Sequence, residues 1–335
     1  MKICIVGAGA IGGMLGVKLA LTGHEVTLIL RGANLEAVRQ NGLTLIEESG
    51  NELNARPALT TSVISEAGPQ DVIILGMKAH QVAAVAADLP PLMHGATRVV
   101  TMQNGIPWWY FHKLAGPWEG QPVTAVDPEG VIARHIDVSR VIGSVVYPAS
   151  EVIRPGVIKV IEGNRFTLGE LDGSDGPSIR TIADALKAAG FKVPISSDIR
   201  SEIWLKVWGN LSFNPISALT HATLEDICKF PLSRELAARM MSEARSVGEK
   251  LGVGFKVSLE QRIDGAQAVG AHKTSMLQDV EHGRGLELEA LVGSVVELAR
   301  ITETPTPTID AIYAATALLT RTLAAQGGRL QIQAT

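Results

Sequence analysis

The sequence contains few of the residues that would indicate a secreted, metal-binding or nucleic-acid-binding protein. Only two cysteines occur in 335 residues, Cys4 and Cys228, and their separation suits neither a disulfide framework nor a metal site. We expect both to be buried. Lysine and arginine form no runs and the formal net charge is -4, so nothing in the charge pattern predicts binding to nucleic acid.

Long apolar runs are also missing. No stretch reaches the roughly 18 apolar residues of a membrane-spanning helix. Met1-Lys2 leads directly into a predicted strand, without the apolar core of a signal peptide. These absences predict a cytoplasmic protein that acts on a small molecule, with no nucleic-acid and no membrane partner. They leave the oligomeric state open, a homodimer included.

The sequence does contain enough apolar residues to form the cores of two domains, since 46% of the chain is hydrophobic. The first part alternates short β-branched runs with helical patterns, which indicates βαβ units and a mostly parallel sheet. The predicted strands are 3–6, 25–30, 72–75, 99–102 and 141–147, with 154–162 and 166–168 as antiparallel additions that close the sheet. A helix at 179–189 and a short strand at 192–194 follow.

After residue 198 the strand patterns stop and amphipathic helices continue to the end, with predicted breaks at Pro215, Pro231, 252–254, 283–285 and 304–307. The sequence therefore predicts an α/β Rossmann-like domain over 1–197 and an all-α domain over 198–335.

A glycine motif follows the first strand. The residues are Gly7, Ala8, Gly9, Ala10, Ile11 and Gly12. In a dinucleotide-binding loop the first glycine makes the tight turn, the second lets backbone approach a pyrophosphate, and the third lets the helix pack on the strand. Because a strand precedes the motif and a helix follows it, we predict nucleotide binding here.

Arg31 lies at the end of the second predicted strand, where NAD-dependent enzymes usually carry a carboxylate for the ribose 2′-hydroxyl. A guanidinium can bind a 2′-phosphate instead. The pattern favours NADP over NAD, although a solvated surface arginine would look the same.

Two more polar residues follow predicted strands, at the sheet edge where ligands bind in open α/β sheets. They are Lys78 and Asn104. Taken singly, Lys78 could be a surface lysine and Asn104 part of an Asn-Gly turn. Together with the glycine motif they predict a cofactor or substrate site.

The helical part contains a polar stripe on an otherwise apolar helix. Lys206, Asn210 and Asn214 are spaced four residues apart and so share one face, opposite Trp204 and Trp208. Such a stripe could simply face solvent. The proline that follows, Pro215, argues against a merely solvent-facing stripe. Proline disfavours helical geometry at Asn214 and kinks or ends the helix beside the stripe.

A second helix in this part has an apolar face through Leu288, Leu291, Val295 and Leu298, and Glu287 lies at the edge of that face. A residue in this position is more often a salt-bridge partner than a site residue.

With these residues the chain resembles the 2-dehydropantoate 2-reductase (ketopantoate reductase) family. The motifs are GAGAIG at 7–12, LILR ending at Arg31, MKAHQ around Lys78, QNG around Asn104, EIWLKVWGNLSFNP around Lys206, and SMLQD at 275–279. The EIWLK block with its two asparagines is the specific part.

The resemblance implies an activity and a role for each matched residue. It implies NADPH-dependent reduction of ketopantoate to pantoate in pantothenate and coenzyme A synthesis, with Lys206 as proton donor and Asn104, Asn210, Asn214 and Ser275 holding substrate. It further implies cofactor contacts at the glycine motif, Arg31, Lys78, Asn104, Ala149 and Glu287.

The chemistry of the residues agrees with that implication. Reduction of a 2-keto acid needs a hydride at C2 and a proton at the developing alkoxide, and a lysine ammonium, with an ordinary pKa of about 10.4, can supply the proton. No metal is required and no ligand cluster predicts one. Reduction of another 2-keto acid, and a non-catalytic NADPH sensor, remain as alternatives.

Two features leave the substrate open. The segment after Asn104 is long and contains Trp108 and Trp109, and we expect it to cover the substrate. The stretch 221–224 lacks an asparagine that the family often uses to bind substrate.

Overall fold

The computed structural model describes residues 1–329 and divides them into two compact units. The first contains Met1–Gln103, Trp108–Pro122 and Asp127–Glu202. The second contains the chain from Ile203 together with two short segments, Asn104–Pro107 and Val123–Val126. Two short segments that precede Ile203 in the sequence therefore belong to the second unit.

The strands of the first unit are β1 Lys2–Val6, β2 Glu25–Ile29, β3 Leu43–Ile46, β4 Glu52–Ala55, β5 Leu59–Thr61, β6 Val72–Leu75, β7 Arg98–Thr101, β8 Val141–Val146, β9 Ala149–Arg154, β10 Val157–Glu162 and β11 Phe166–Glu170. Seven of them form the main sheet, in the order β11-β8-β7-β6-β1-β2-β5. All neighbours in the main sheet run parallel except β11, which pairs antiparallel with β8. The mostly parallel sheet predicted from sequence is confirmed.

A second sheet of four strands, in the order β4-β3-β10-β9, corrects the prediction for residues 154–162. This stretch does not close the main sheet. It forms part of a hairpin, because Gly156 takes a φ of +75° and turns β9 into β10. The predicted strand at 192–194 is also wrong: only isolated bridges form there, from Lys192 to Arg165 and from Ile195 to Leu168.

The helices of the first unit cover the faces of these sheets. They are α1 Ala10–Leu21, α2 Gly32–Asn41, α3 Ala79–Ala86, α4 Val131–His135 and α5 Pro177–Ala188. Helix α1 is apolar on most of its surface because it is packed between layers: Gly16 lies against Leu28 of the main sheet, and Gly13 lies against Ile158 of the second sheet. A side chain at either glycine would collide with the opposing leucine or isoleucine.

The second unit is built from helices. They are α6 Ile199–Thr220, α7 Leu224–Lys229, α8 Pro231–Lys250, α9 Leu259–Ala268, α10 Ser275–Glu281, α11 Ser294–Ile301 and α12 Pro307–Ala325, with a π-helical turn at Glu289–Gly293 before α11. The first four residues of α6, Ile199 to Glu202, belong to the first unit. An all-α C-terminal part, as predicted, is confirmed.

Helix α6 does not end at Pro215, contrary to one outcome expected from the sequence. It continues to Thr220 with the proline inside it. Burial explains the tolerance: the residues from Leu211 to Ala218 are all buried, so packing outweighs the hydrogen bond that proline cannot donate.

The core of the helical unit is centred on two tryptophans of α6. Trp204 and Trp208 are fully buried and both meet the ring of Phe255, at 6.3 Å and 4.8 Å between ring centroids. The indole of Trp208 also donates to the Met241 carbonyl at 2.6 Å. This contact set fixes the rotation of α6 about its axis, and the polar stripe faces the other way.

Both cysteines are buried, as expected. Burial raises the pKa of the Cys4 thiol to about 12, which keeps it protonated and unreactive. Among residues 1–329, no helix combines the length and the apolar character that crossing a bilayer requires.

Candidate active site

The glycine loop lies at the carboxyl end of β1, at the point where the sheet order changes direction. Strand β2 lies on one side of β1 and β6 on the other. Ligands of open α/β sheets bind at such a switch point, since the loops leaving the two neighbouring strands diverge there.

Local packing explains the glycines of the loop. Gly7 has a φ of +89°, and a Cβ there would lie 2.9 Å from the Met77 Cβ. At Gly12 a Cβ would lie 2.4 Å from the Gly7 carbonyl oxygen, so this glycine lets α1 approach β1. A Cβ at Gly9 would meet nothing within 4 Å, so this position borders open space.

The amino terminus of α1 is suited to an anion. No side chain caps it, and its first turn has no acidic residue. The backbone N–H groups of this end and the helix dipole therefore remain available to a phosphate.

A cavity of about 510 Å³ opens beside the loop, bordered by Gly7, Ala8, Gly9 and Arg31. Arg31 directly precedes α2 and is exposed. Four further residues that the sequence did not single out also line the cavity: Asn34, Met77, His80 and Gln81. A signal for the last three was present, because they lie within the MKAHQ motif at 77–81.

Lys78 lies at the rim of this region, directly before α3, and its backbone N–H donates to the Gln81 side chain at 3.2 Å. The wall behind it is held by Gln103, whose amide NH2 donates to the carbonyls of Leu75 at 2.7 Å and Met77 at 3.0 Å. Gln103 thus fixes the turn that presses Met77 against Gly7.

Ala149 opens β9, in the second sheet, and is partly buried. Strand β9 packs on α1, the helix that follows the glycine loop. Ala149 is thus the predicted cofactor contact that lies in the second sheet.

The helical unit brings three predicted site residues together. Lys206 Nζ donates to Asn104 Oδ1 at 2.6 Å, and Asn104 Nδ2 lies 3.4 Å from Glu287 Oε2. The Asn104 carboxamide thus bridges a cation and a carboxylate. We refer to Lys206, Asn104 and Glu287 as the lysine cluster.

The environment of Lys206 changes the expectation of an ordinary lysine pKa. Burial disfavours the charged ammonium and lowers the pKa of Lys206 to about 8, while the Glu287 carboxylate acts in the opposite direction. Near neutral pH the ammonium remains the main form, but it gives up its proton much more readily than a surface lysine would.

Asn210 and Asn214 follow Lys206 on α6 at intervals of one turn, as the sequence predicted. Asn214 is only 5% exposed. Ser275 begins α10 and is exposed.

The aromatic segment does not behave as predicted at Trp109. This residue is 2% exposed, its indole donates to Thr101 Oγ1 at 3.2 Å, and its ring lies against Gly143 of β8. Trp109 is therefore a core residue of the first unit. Trp108 is partly buried, and its indole nitrogen is buried without a hydrogen-bond partner.

Among residues 1–329, no three histidine, cysteine, aspartate or glutamate side chains come together in a way that could hold a metal ion.

Comparison with known proteins gives the same two parts. Residues 3–173 match the family model described as ketopantoate reductase PanE/ApbA, and residues 198–320 match the model of its C-terminal domain. A 2-dehydropantoate 2-reductase of Mesorhizobium japonicum is 51% identical over 329 residues, which cover 98% of this chain and 99% of the relative.

Two solved structures extend the comparison. A crystal structure described as a ketopantoate reductase of Ralstonia solanacearum has a TM-score of 0.91 at 40% identity, covering 96% of this chain and 98% of that one. A D-mandelate dehydrogenase in complex with NADH and anilino(oxo)acetate has a TM-score of 0.81, covering 97% and 100% of the two chains. At 22% identity, it shows a shared fold alone.

The fold and the site define a class of proteins in which a Rossmann-type sheet with a glycine loop is joined to a helical domain that contributes a buried lysine. Within that class, the chain belongs to the ketopantoate reductase family. The resemblance noted in the sequence is confirmed.

Proposed function

We propose that this protein reduces 2-dehydropantoate to pantoate with NADPH, and that Lys206 donates the proton. The observation that carries the proposal is the lysine cluster, in which a lysine of lowered pKa is held at 2.6 Å by Asn104. The chain belongs to the ketopantoate reductase family and has a 51% identical relative named for this activity, which supports the choice of substrate.

The cofactor would be held by the first unit. Gly9 and the uncapped start of α1 fit a pyrophosphate, since Gly9 borders open space and no side chain caps the first N–H groups of the helix. Arg31 at the rim of the cavity supports NADPH over NADH, because its guanidinium can pair with a 2′-phosphate. Lys78 and Ala149 complete the proposed cofactor contacts of this unit, with Asn104 and Glu287 as those of the other. The reduced nicotinamide supplies a hydride to C2 of the keto acid when it is bound.

The chain's own part in the reaction is to supply and stabilise charge at the keto oxygen. The Lys206 ammonium donates a proton to the alkoxide as negative charge develops there. A pKa near 8 suits this task, since a general acid is most effective when its pKa lies close to the working pH. Asn104 fixes the direction of the ammonium, because its side-chain oxygen accepts a hydrogen bond from one of the three N–H donors of Lys206.

Substrate binding would use the amides that follow Lys206 on the same face. Asn210 and Asn214 can donate to the carboxylate and hydroxyl groups of a keto acid, and Asn214 is the more buried of the two. Ser275 at the start of α10 is a further proposed contact. In this scheme 1–197 binds the cofactor and 198–335 provides the catalytic lysine and most of the substrate contacts.

A steady-state panel tests the proposal. Purified protein is assayed for NADPH oxidation with ketopantoate, 2-oxoisovalerate, pyruvate and benzoylformate, and kcat/KM is expected to be highest for ketopantoate. A higher value with another acid would assign the same chemistry to a different 2-keto acid. NADPH binding without oxidation by any of them would indicate a sensor and contradict the proposal.

A further inference from the structure

The segment that contains Asn104 packs on the π-helical turn Glu289–Gly293. We infer that this turn positions Asn104 between Lys206 and Glu287. The inference rests on the proposed function, because it concerns the residue that holds the proton donor. All the groups involved lie in the helical unit.

The π-helical turn releases a backbone acceptor. In a regular α-helix the N–H of Ser294 would donate to the carbonyl of Ala290, four residues earlier. Here it donates to the carbonyl of Glu289, five residues earlier. The Ala290 carbonyl therefore does not receive that bond and is available to another part of the chain.

Two groups bind the released carbonyl. The backbone N–H of Ile106 donates to Ala290 O at 2.9 Å, and the Ser294 hydroxyl donates to the same atom at 2.7 Å. Ser294 is fully buried, so its hydroxyl has no competing water. The bond from Ile106 joins the segment Asn104–Pro107 to the helix.

The fit at Gly105 makes this docking specific. Gly105 has a φ of +92°, and a Cβ there would lie 2.0 Å from the Ala290 carbonyl oxygen. Only glycine adopts this backbone conformation at so short a distance. The segment therefore has one way to lie on the turn, and that arrangement sets the direction in which the preceding residue, Asn104, leaves the backbone.

The consequence is a fixed orientation of the Asn104 carboxamide. Its oxygen accepts from Lys206 and its nitrogen faces Glu287, which lies two residues before the turn. Glu287 directly precedes the helix that carries the docking point for Asn104, so one short stretch of chain holds both. A regular α-helix over 289–293 would present neither the released carbonyl nor this spacing. Gly105 and Ser294 are accordingly positioning residues.

The experiment uses Gly105→Ala in the full chain, with two readouts. NMR titration of protein labelled with 13C-lysine reports the pKa of Lys206 directly, without substrate. We expect this pKa to fall further below its wild-type value, because the ammonium loses an acceptor. We also expect kcat/KM for ketopantoate to fall by about 10²-fold, the effect of a displacement of about 1 Å. An unchanged or raised Lys206 pKa would overturn the inference.

A second variant covers the case in which Gly105→Ala does not fold. Ser294→Ala removes one of the two bonds to Ala290 O and is expected to lower the Lys206 pKa and reduce kcat/KM by up to about tenfold. Thr316→Val is the matched control: Thr316 is equally buried and also donates to the carbonyl four residues earlier, in α12. Equal effects of the two variants on Lys206 would contradict a positioning role.

The two readouts separate this inference from the proposed function. If wild-type protein reduces no keto acid, the proposed function fails, yet the Lys206 titration still tests the docking of Asn104. If ketopantoate is reduced and the titration does not respond to either variant, the proposed function stands and the inference falls.

Discussion

Lys206 Nζ lies 2.6 Å from Asn104 Oδ1, although 102 residues separate the two in the sequence. Asn104 is in the same compact unit as Lys206 although the strand before it belongs to the other one. A residue of the turn after β7 thereby acts as a hydrogen-bond partner of α6. Burial of the ammonium gives Lys206 its lowered pKa, while the Glu287 carboxylate acts in the opposite direction.

The first prediction is a pH profile. In the proposed mechanism the Lys206 ammonium is the proton donor, and its fraction falls as pH rises through a pKa of about 8. For keto-acid reduction, kcat/KM should therefore be level below that pH and fall about tenfold per unit well above it. NADPH affinity measured over the same range is the control. A profile that stays level to pH 10 would mean that Lys206 titrates normally or is not the acid.

The second prediction concerns cofactor choice. Arg31 borders the cavity beside the glycine loop, and loss of its guanidinium should remove a charge-assisted hydrogen bond to a 2′-phosphate. Arg31→Ala should weaken NADPH binding by about tenfold to a hundredfold and leave NADH binding nearly unchanged. The control is Arg154→Ala, an exposed arginine of the same unit. Equal affinities for NADPH and NADH in the unmutated protein would refute the role of Arg31.

The third prediction tests the wall of the same cavity. Gln103→Glu replaces an NH2 that donates to Leu75 and Met77 with an oxygen that repels both carbonyls. NADPH Kd should rise about tenfold or more, since two hydrogen bonds are lost. Gln121→Glu makes the same charge change at an exposed site and should leave Kd unchanged. If both variants behaved alike, the effect would be one of charge and not of the Met77 turn.

The fourth prediction replaces a role expected from the sequence. Because Trp109 is buried and bonded to Thr101, Trp109→Ala should lower the free energy of unfolding by about 3 to 5 kcal/mol, the usual cost of deleting a buried aromatic side chain. Urea denaturation measures this, with the partly exposed Trp118→Ala as comparison. Normal stability with a raised KM for the keto acid would restore the original substrate-covering role.

These residues show which features the sequence could reveal. The glycine loop and the central parallel strands were predictable because their signals are local: a fixed spacing of glycines and short apolar runs. The second sheet was not, since β3 pairs with β10 through Thr44 and Val157, far apart in the chain. Trp109 was misjudged because an aromatic residue in a long loop looks the same whether it faces a ligand or Gly143.

The lysine cluster was predictable in composition but not in geometry. Family resemblance identified Lys206, Asn104 and Glu287 separately, on three segments. Their contact depends on the docking of Gly105 against the Ala290 carbonyl, which in turn depends on a π-helical turn. No spacing rule in the sequence marks that turn, because its helix has an ordinary apolar face through Leu288, Leu291 and Val295.

The last prediction is catalytic. Lys206→Ala should lower kcat by about 10²- to 10⁴-fold, the usual range for loss of a general acid. NADPH binding should persist, because the glycine loop and Arg31 belong to the first unit and Lys206 to the second. Single-turnover NADPH oxidation with ketopantoate, beside direct NADPH titration, measures both quantities.

Two further variants make the result specific. Lys229→Ala removes an exposed lysine of the same unit and should leave kcat unchanged. Lys206→Arg keeps the charge beside Asn104, but a guanidinium has a much higher pKa than the Lys206 ammonium and does not release its proton. This variant should therefore preserve substrate binding better than Lys206→Ala while restoring little of kcat. Full activity of the arginine variant would mean that Lys206 contributes charge and not a proton. Near-normal turnover in Lys206→Ala would place the proton donor elsewhere and remove the lysine cluster from the reaction.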